Sequence, residues 1–157
     1  MGKSATIRFA ADKNVGKLAK WLRLLGFDTL YESDAPKAVT TGFWEKDRIF
    51  LTRTKKRFLG HTGLQRHIFI SSDRMADQLV EVIQTLGFVS ADLRLFSRCI
   101  RCNQPIKTVG KEEVVASVPE YVWGIHDVFK SCGSCGRVYW PGSHIKRSYK
   151  MITRLFS

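Results

Sequence analysis

The chain has 157 residues, 44% hydrophobic and 25% charged, enough for one ordinary domain or for a domain with a small added module. No run approaches the roughly 18 consecutive apolar residues of a membrane span, so membrane insertion is not expected. Lys and Arg outnumber Asp and Glu by 26 to 14, a net charge of +12. Such a surface draws polyanions by releasing their condensed counterions, which makes nucleic acid, and RNA in particular, the expected partner. The alternative is a basic surface that is merely solvated.

The opening Met1-Gly2-Lys3-Ser4 leads straight into an apolar run. It lacks the charged start, apolar stretch and cleavage site of a signal peptide, and a cytoplasmic location is expected. That first run is Thr6-Ile7-Arg8-Phe9-Ala10-Ala11 and ends at Asp12. Val15, Leu18, Ala19, Leu22 and Leu25 then recur at helical spacing. Asn14 is the expected N-cap and Gly26 the expected stop. Lys17, Lys20 and Arg23, which fall between the apolar positions, are expected to face outward.

Further apolar runs are Thr29-Leu30-Tyr31, Ile49-Phe50-Leu51-Thr52 and His67-Ile68-Phe69-Ile70-Ser71. A poor helix candidate, broken by Pro36 and Gly42, separates the second from the third. Met75, Leu79, Val82, Ile83 and Leu86 mark another helix, stopped by Gly87. Strands alternating with helices predict an α/β domain with a parallel sheet over about residues 1–94.

In such sheets sites form at the carboxyl ends of the strands, near the point where strand order reverses. Asp12 follows the first strand, Asp34 the second, Thr52-Arg53-Thr54 ends the third and Ser72-Asp73 follows the fourth. Carboxylates converging there suit Mg²⁺ or Mn²⁺, hard cations that take oxygen ligands, and such an ion can activate water for phosphodiester cleavage. The competing reading of each Asp is a helix cap. Asp12 is the best placed, since it ends an apolar strand and opens a strong helix.

The second module is expected over residues 95–157. Its four cysteines form two pairs, Cys99-Ile-Arg-Cys102 and Cys132-Gly-Ser-Cys135. Two such knuckles supply the four thiolates of a closed tetrahedral site, which predicts one structural Zn²⁺. Asn103, Gly133 and Gly136 are residues that help such turns approach a metal. Between the knuckles, Glu112-Glu113-Val114-Val115 reads as a short helix, and Val138-Tyr139-Trp140 as a strand leaving the second. The zinc is expected to substitute for a core too small to stand alone.

Arg53, Lys55, Lys56 and Arg57 lie just beyond the third strand, where cations would meet an RNA backbone. Lys146, Arg147, Lys150 and Arg154 close the chain, interspersed with Tyr149 and Phe156. They read equally as a frayed basic end or as a binding arm. His144 reads as a packed structural residue, because the cysteines already satisfy the metal.

Several of these segments resemble one family. Phe9-Ala10-Ala11-Asp12 through Trp21-Leu22-Arg23-Leu24-Leu25-Gly26-Phe27-Asp28-Thr29 is similar to the Mut-seven carboxy-terminal RNase domain. So are Arg48-Ile49-Phe50-Leu51-Thr52-Arg53, Ser97-Arg98-Cys99-Ile100-Arg101-Cys102-Asn103 and Cys132-Gly133-Ser134-Cys135 through Trp140-Pro141-Gly142-Ser143-His144. The resemblance implies a PIN-like nuclease fold with a zinc ribbon, cleaving RNA with a divalent metal held by clustered acids. The first family acid falls on Asp12, a later one on Asp73, and Asp34 lies between them. The family's third-strand motif ends in Asp, where this chain has Thr54. A neutral hydroxyl is a poor metal ligand beside a carboxylate, which leaves a second function open, an RNA-binding adaptor without effective catalysis. A nucleotide-binding enzyme is disfavoured, since Asp-Lys-Asn-Val-Gly follows the first strand in place of a glycine-rich loop.

Overall fold

A computed structural model describes residues 7–34, 43, 45–60 and 65–157. The chain divides into two compact units, Met1–Asn103 and Gln104–Ser157.

In the first unit, strands β1 (Arg8–Ala11), β2 (Asp28–Tyr31), β3 (Arg48–Thr52) and β4 (His67–Phe69) alternate with helices α1 (Gly16–Leu24), α2 (Lys55–Leu59) and α3 (Met75–Leu86). The strand order is β2-β1-β3-β4 and every pairing is parallel, as the alternation of runs predicts. The chain leaves β1 for β2 on one side and resumes with β3 on the other, so strand order reverses at β1. The short basic helix α2 is not legible in the apolar periodicity. The segment carrying Pro36, Gly42 and Trp44 lies outside the described residues, as do Thr6 and His61.

Register sorts the strand residues onto two faces. Ala10 pairs with Leu30 and with Phe50, and Phe43 packs against this cluster, its ring 6.0 Å from that of Phe50. Phe9 points the other way and meets Phe27 edge-on at 5.5 Å, and Phe27 stacks on Phe88 at 4.6 Å. Helix α1 buries Leu18, Ala19 and Leu22, and α3 buries Leu79, Val82 and Ile83. Each such Leu, Val or Ile side chain contributes about 1.5–3 kcal/mol of transfer free energy. Gly26 stops α1 as expected: its φ of +100° is a glycine conformation, and a Cβ there would lie 2.5 Å from the Arg94 carbonyl oxygen.

Two expectations about α1 are corrected. Arg23 does not face outward; it is 2% exposed. Its Nε donates to the Thr29 carbonyl at 2.9 Å, and Nη1 reaches Asp34 Oδ2 at 2.9 Å and the carbonyls of Ile100 and Arg101 at 3.0 and 3.1 Å. With that many acceptors the guanidinium can leave water, which helical periodicity alone cannot foresee. Nor does Asn14 cap α1. A turn of 3-10 helix over Lys13–Val15 precedes the helix, and the Asn14 side chain reaches across to Thr54 and Arg53.

At the opposite end of the sheet, Asp28 is the anchor. It accepts from Arg48 Nη1 at 2.9 Å, Arg8 Nε at 3.3 Å and Asn103 Nδ2 at 2.7 Å. Asn103 Oδ1 in turn accepts the Thr29 backbone N–H at 2.9 Å, so the first knuckle's end satisfies a donor on the edge strand β2.

In the second unit, β5 (Ile106–Val109), β6 (Phe129–Cys132) and β7 (Val138–Tyr139) form an antiparallel sheet in that order. Val114, Val122 and Phe129 are its buried centre, joined by Trp123 and Trp140. The expected short helix is a 3-10 turn over Lys111–Val114, and α4 (Glu120–Ile125) follows it. The basic C-terminal segment is not frayed: Ser143–Leu155 is helix α5, holding Ile152 buried and Lys146, Arg147, Lys150 and Arg154 exposed. His144, expected to be packed, is exposed in its first turn. Among the described residues no helix is long and apolar enough to cross a membrane.

Burial pushes the Asp28 carboxyl up, but hydrogen bonds from Arg48 and Asn103 and the charges of Arg48 and Arg98 outweigh it and hold the group below its ordinary value of 3.8. A depressed folded-state value stabilises fully above the ordinary value and is lost as pH falls through the depressed one. The urea midpoint should therefore hold between about pH 7 and 5 and drop toward pH 3. Asp28→Asn should lower the midpoint at pH 7 and flatten that acid drop.

Candidate functional site

The carboxyl ends of β1 and β3 bring the charged groups together at the point where strand order reverses. Asp12 follows β1 directly, and its backbone N–H donates to the Leu51 carbonyl at 2.9 Å, extending the pairing with β3 by one residue. Its side chain is thereby held inside the sheet edge, and the residue is 0% exposed. Thr52 Oγ1 donates to Asp12 Oδ2 at 2.6 Å. Arg57 Nη1, from α2, donates to Asp12 Oδ1 at 2.5 Å and to Glu32 Oε2 at 2.6 Å. One cationic nitrogen thus bridges two carboxylates.

Glu32 opens the 3-10 turn after β2, and its Oε2 also accepts the Lys13 backbone N–H at 3.3 Å. Burial pushes its carboxyl up, but the hydrogen bond from Arg57, the Arg57 charge and the Lys13 backbone bond win and hold it below its usual value. Arg57 is correspondingly pushed above its usual value: burial lowers it, and the bond to Glu32 and the charges of Asp12 and Glu32 more than reverse that. Its guanidinium also lies over the Phe50 ring, 5.3 Å from the centroid. Sequence reasoning passed over Glu32. The available signal was its position, the first carboxylate after the second apolar run.

The other site residues named from sequence are placed as follows. Asp73 is exposed and paired with Arg53, on a turn that Glu81 fixes by accepting the N–H groups of Ser71 and Ser72 at 2.9 and 2.8 Å. Asp34 faces Arg23. Lys55 and Lys56 are exposed on α2. Thr54, at the departure from the family motif, accepts from Asn14 Nδ2 at 2.7 Å through its hydroxyl, while its backbone N–H donates to Thr52 Oγ1 at 3.0 Å. A cleft of about 500 Å³ opens between the starts of α1 and α3, lined by Asn14, Lys17, Tyr31, Arg53, Asp73 and Arg74 among others. Asp12 and Glu32 offer hard oxygen donors that already share one cation, so their chemistry fits a divalent ion. Among the described residues, however, Asp12, Asp34 and Asp73 do not close into one three-acid group.

The cysteines do close into a group. The sulfur atoms of Cys99, Cys102, Cys132 and Cys135 all lie within 4.8 Å of one another, and none forms a disulfide. The two knuckles share a backbone design. The Asn103 N–H donates to the Cys99 carbonyl and the Gly136 N–H to the Cys132 carbonyl, both at 2.9 Å. Asn103 and Gly136 both carry left-handed φ values, +67° and +72°, the conformation expected of Asn and Gly there. Four thiolates gathered from two tight turns suit a structural metal such as zinc.

A parallel four-stranded sheet flanked by helices, with a four-cysteine cluster toward the C-terminus suited to zinc, describes an α/β protein with a centre of the zinc-ribbon type. The family model of the Mut7-C RNAse domain matches residues 7–152, and the chain belongs to that family. No curated protein and no solved structure gives a match.

Elemental analysis of protein purified without chelator should find one zinc per chain. Cys132→Ser should lose it, expose the remaining thiols to titration and lower the melting temperature, because metal binding at such a site is folding free energy.

Proposed function

We propose that the protein is a divalent-metal-dependent ribonuclease that hydrolyses RNA phosphodiester bonds, with Asp12 as the central metal ligand. The observation that carries this reading is the placement of a fully buried Asp12 beside Glu32 at the reversal point of a parallel sheet. Membership of an RNase domain family and the net charge of +12 support RNA as the substrate. Reduced thiols are the norm in the cytoplasm, the setting that suits a four-thiolate centre.

Mg²⁺ or Mn²⁺ bound there would supply Lewis acidity toward a phosphate oxygen and lower the pKa of a bound water. The chain's residues set the stage for that chemistry. Thr52 holds Asp12 Oδ2, which fixes the rotation of the carboxylate and leaves Oδ1 turned toward Glu32 and Arg57. Glu32 is kept ionised by its cationic neighbour and is the second ligand in this proposal. Asp73 stands at the cleft, where Arg53 neutralises it. Asp34 is the third acid named from the family pattern, and its contribution would require release from Arg23. Arg53, Lys55 and Lys56 offer cations to the RNA backbone.

The second reading, an RNA-binding adaptor, draws on Thr54. Its hydroxyl is engaged by Asn14, so the strand end that carries an acid in the family pattern supplies no third charge here. The two readings part in one experiment: cleavage of labelled single-stranded and structured RNAs with Mn²⁺, with Mg²⁺ and with EDTA. The nuclease gives metal-dependent products, and Asp12→Asn should lower the rate by more than the roughly 10–100-fold typical of losing an outer-shell partner. The adaptor gives intact RNA that still binds in EDTA, with an affinity that falls as salt rises.

A further inference from the structure

A carboxylate as deeply buried as Asp12 needs a partner of opposite charge, because a lone charge out of water costs several kcal/mol. Thr52 supplies a hydrogen bond but no charge. The charge comes from Arg57, whose Nη1 sits 2.5 Å from Asp12 Oδ1 and 2.6 Å from Glu32 Oε2. These are the oxygen atoms that the nuclease reading assigns to a divalent ion, and a guanidinium nitrogen so close to both leaves no room for a second cation between them. Two cations on the same oxygens would also repel one another strongly in a partly dry site.

We propose that Arg57 and the divalent ion are alternative occupants of the Asp12–Glu32 pair, so that Arg57 is a built-in counter-cation that sets the metal affinity of this chain. The inference rests on the nuclease reading and adds to it the residue that opposes loading. Arg57 is suited to leaving. Its side chain is 30% exposed, it projects from a helix of five residues, and its guanidinium already rests over the Phe50 ring, an aromatic face that can hold the cation away from the carboxylates. Lys55 and Lys56, its neighbours on α2, are exposed and do not take its place in the carboxylate pair among the bonds observed. The cost of releasing a doubly bonded guanidinium is charged against metal binding, so the site should load more weakly than its two carboxylates alone would allow.

The test is Mn²⁺ binding by the intact, zinc-loaded protein, followed by the electron paramagnetic resonance of free Mn²⁺ at fixed ionic strength. Asp12→Asn defines binding that does not belong to this site, and zinc content with circular dichroism checks that each variant is folded. Arg57→Gln should bind Mn²⁺ at least about tenfold more tightly than the wild type, the scale of losing a hydrogen bond between charged groups. Arg57→Lys, which keeps the charge without the fork, should fall between them and serves if Arg57→Gln does not fold. Mn²⁺ binding by the wild type that either folded variant leaves unchanged or weakens would overturn the competition while sparing the nuclease reading. No Asp12-dependent binding in any folded form would overturn both.

Discussion

Asp12 is all but sealed from water, and much of the Met1–Asn103 unit supplies the conditions that make this tolerable. The carboxylate is carried there by β1, which pairs on both sides with parallel strands. Its backbone N–H is consumed by Leu51 and its carbonyl by Val15. Both side-chain oxygens are hydrogen-bonded, one to the β3 hydroxyl of Thr52 and the other to Arg57. Remove the burial and the acid becomes an ordinary cap. Keep the burial, and the fold must bring a cation to the carboxyl end of the sheet, which the basic helix α2 does.

The other end of the sheet solves a similar problem with opposite roles. There Asp28 faces both Arg8 and Arg48, Glu45 and Asp47 share those cations from outside, and Asn103 completes the shell of Asp28. Because Asn103 also receives the N–H of Thr29, a residue needed for the turn of the first knuckle simultaneously finishes the edge of β2. The left-handed φ of Asn103 therefore has two uses: it lets the backbone fold back to Cys99, and it sets the amide where both Asp28 and Thr29 can reach it. A substitution that kept only the conformation, such as glycine, would leave an edge-strand donor unsatisfied and Asp28 with one hydrogen bond fewer.

What the sequence made legible follows from what depends on neighbours alone. Apolar runs and 3.6-residue spacing located β1 to β4, α1 and α3, because burial imposes those periods whatever the partner. Asp12 was legible for the same reason, as the polar residue that ends an apolar strand, and the knuckles were legible from Cys spacing and from the Asn and Gly beside them. Arg23 was misread because its environment is assembled from residues six to 78 positions away, and no local pattern records them. Glu32 escaped notice because the turn after β2 is one of 3-10 helix, with no period to mark which of its acids turns inward. Helix α5 has a single buried residue, Ile152, so its run of cations overshadowed the helical spacing beneath it.

Arg23 also constrains the order in which the chain can become itself. Its Nε partner, the Thr29 carbonyl, is made six residues later, but two carbonyl partners of its Nη1 belong to Ile100 and Arg101. On a ribosome the sheet strands emerge well before those carbonyls exist. During that interval Thr29 and Asp34 are the acceptors within reach of Arg23, and water must stand in for the two carbonyls still to come. The last two of these hydrogen bonds can therefore form only once residues 100 and 101 have been made. A chain truncated before that point would keep Thr29 and Asp34 as partners of Arg23 and lose two buried acceptors, which only water could replace.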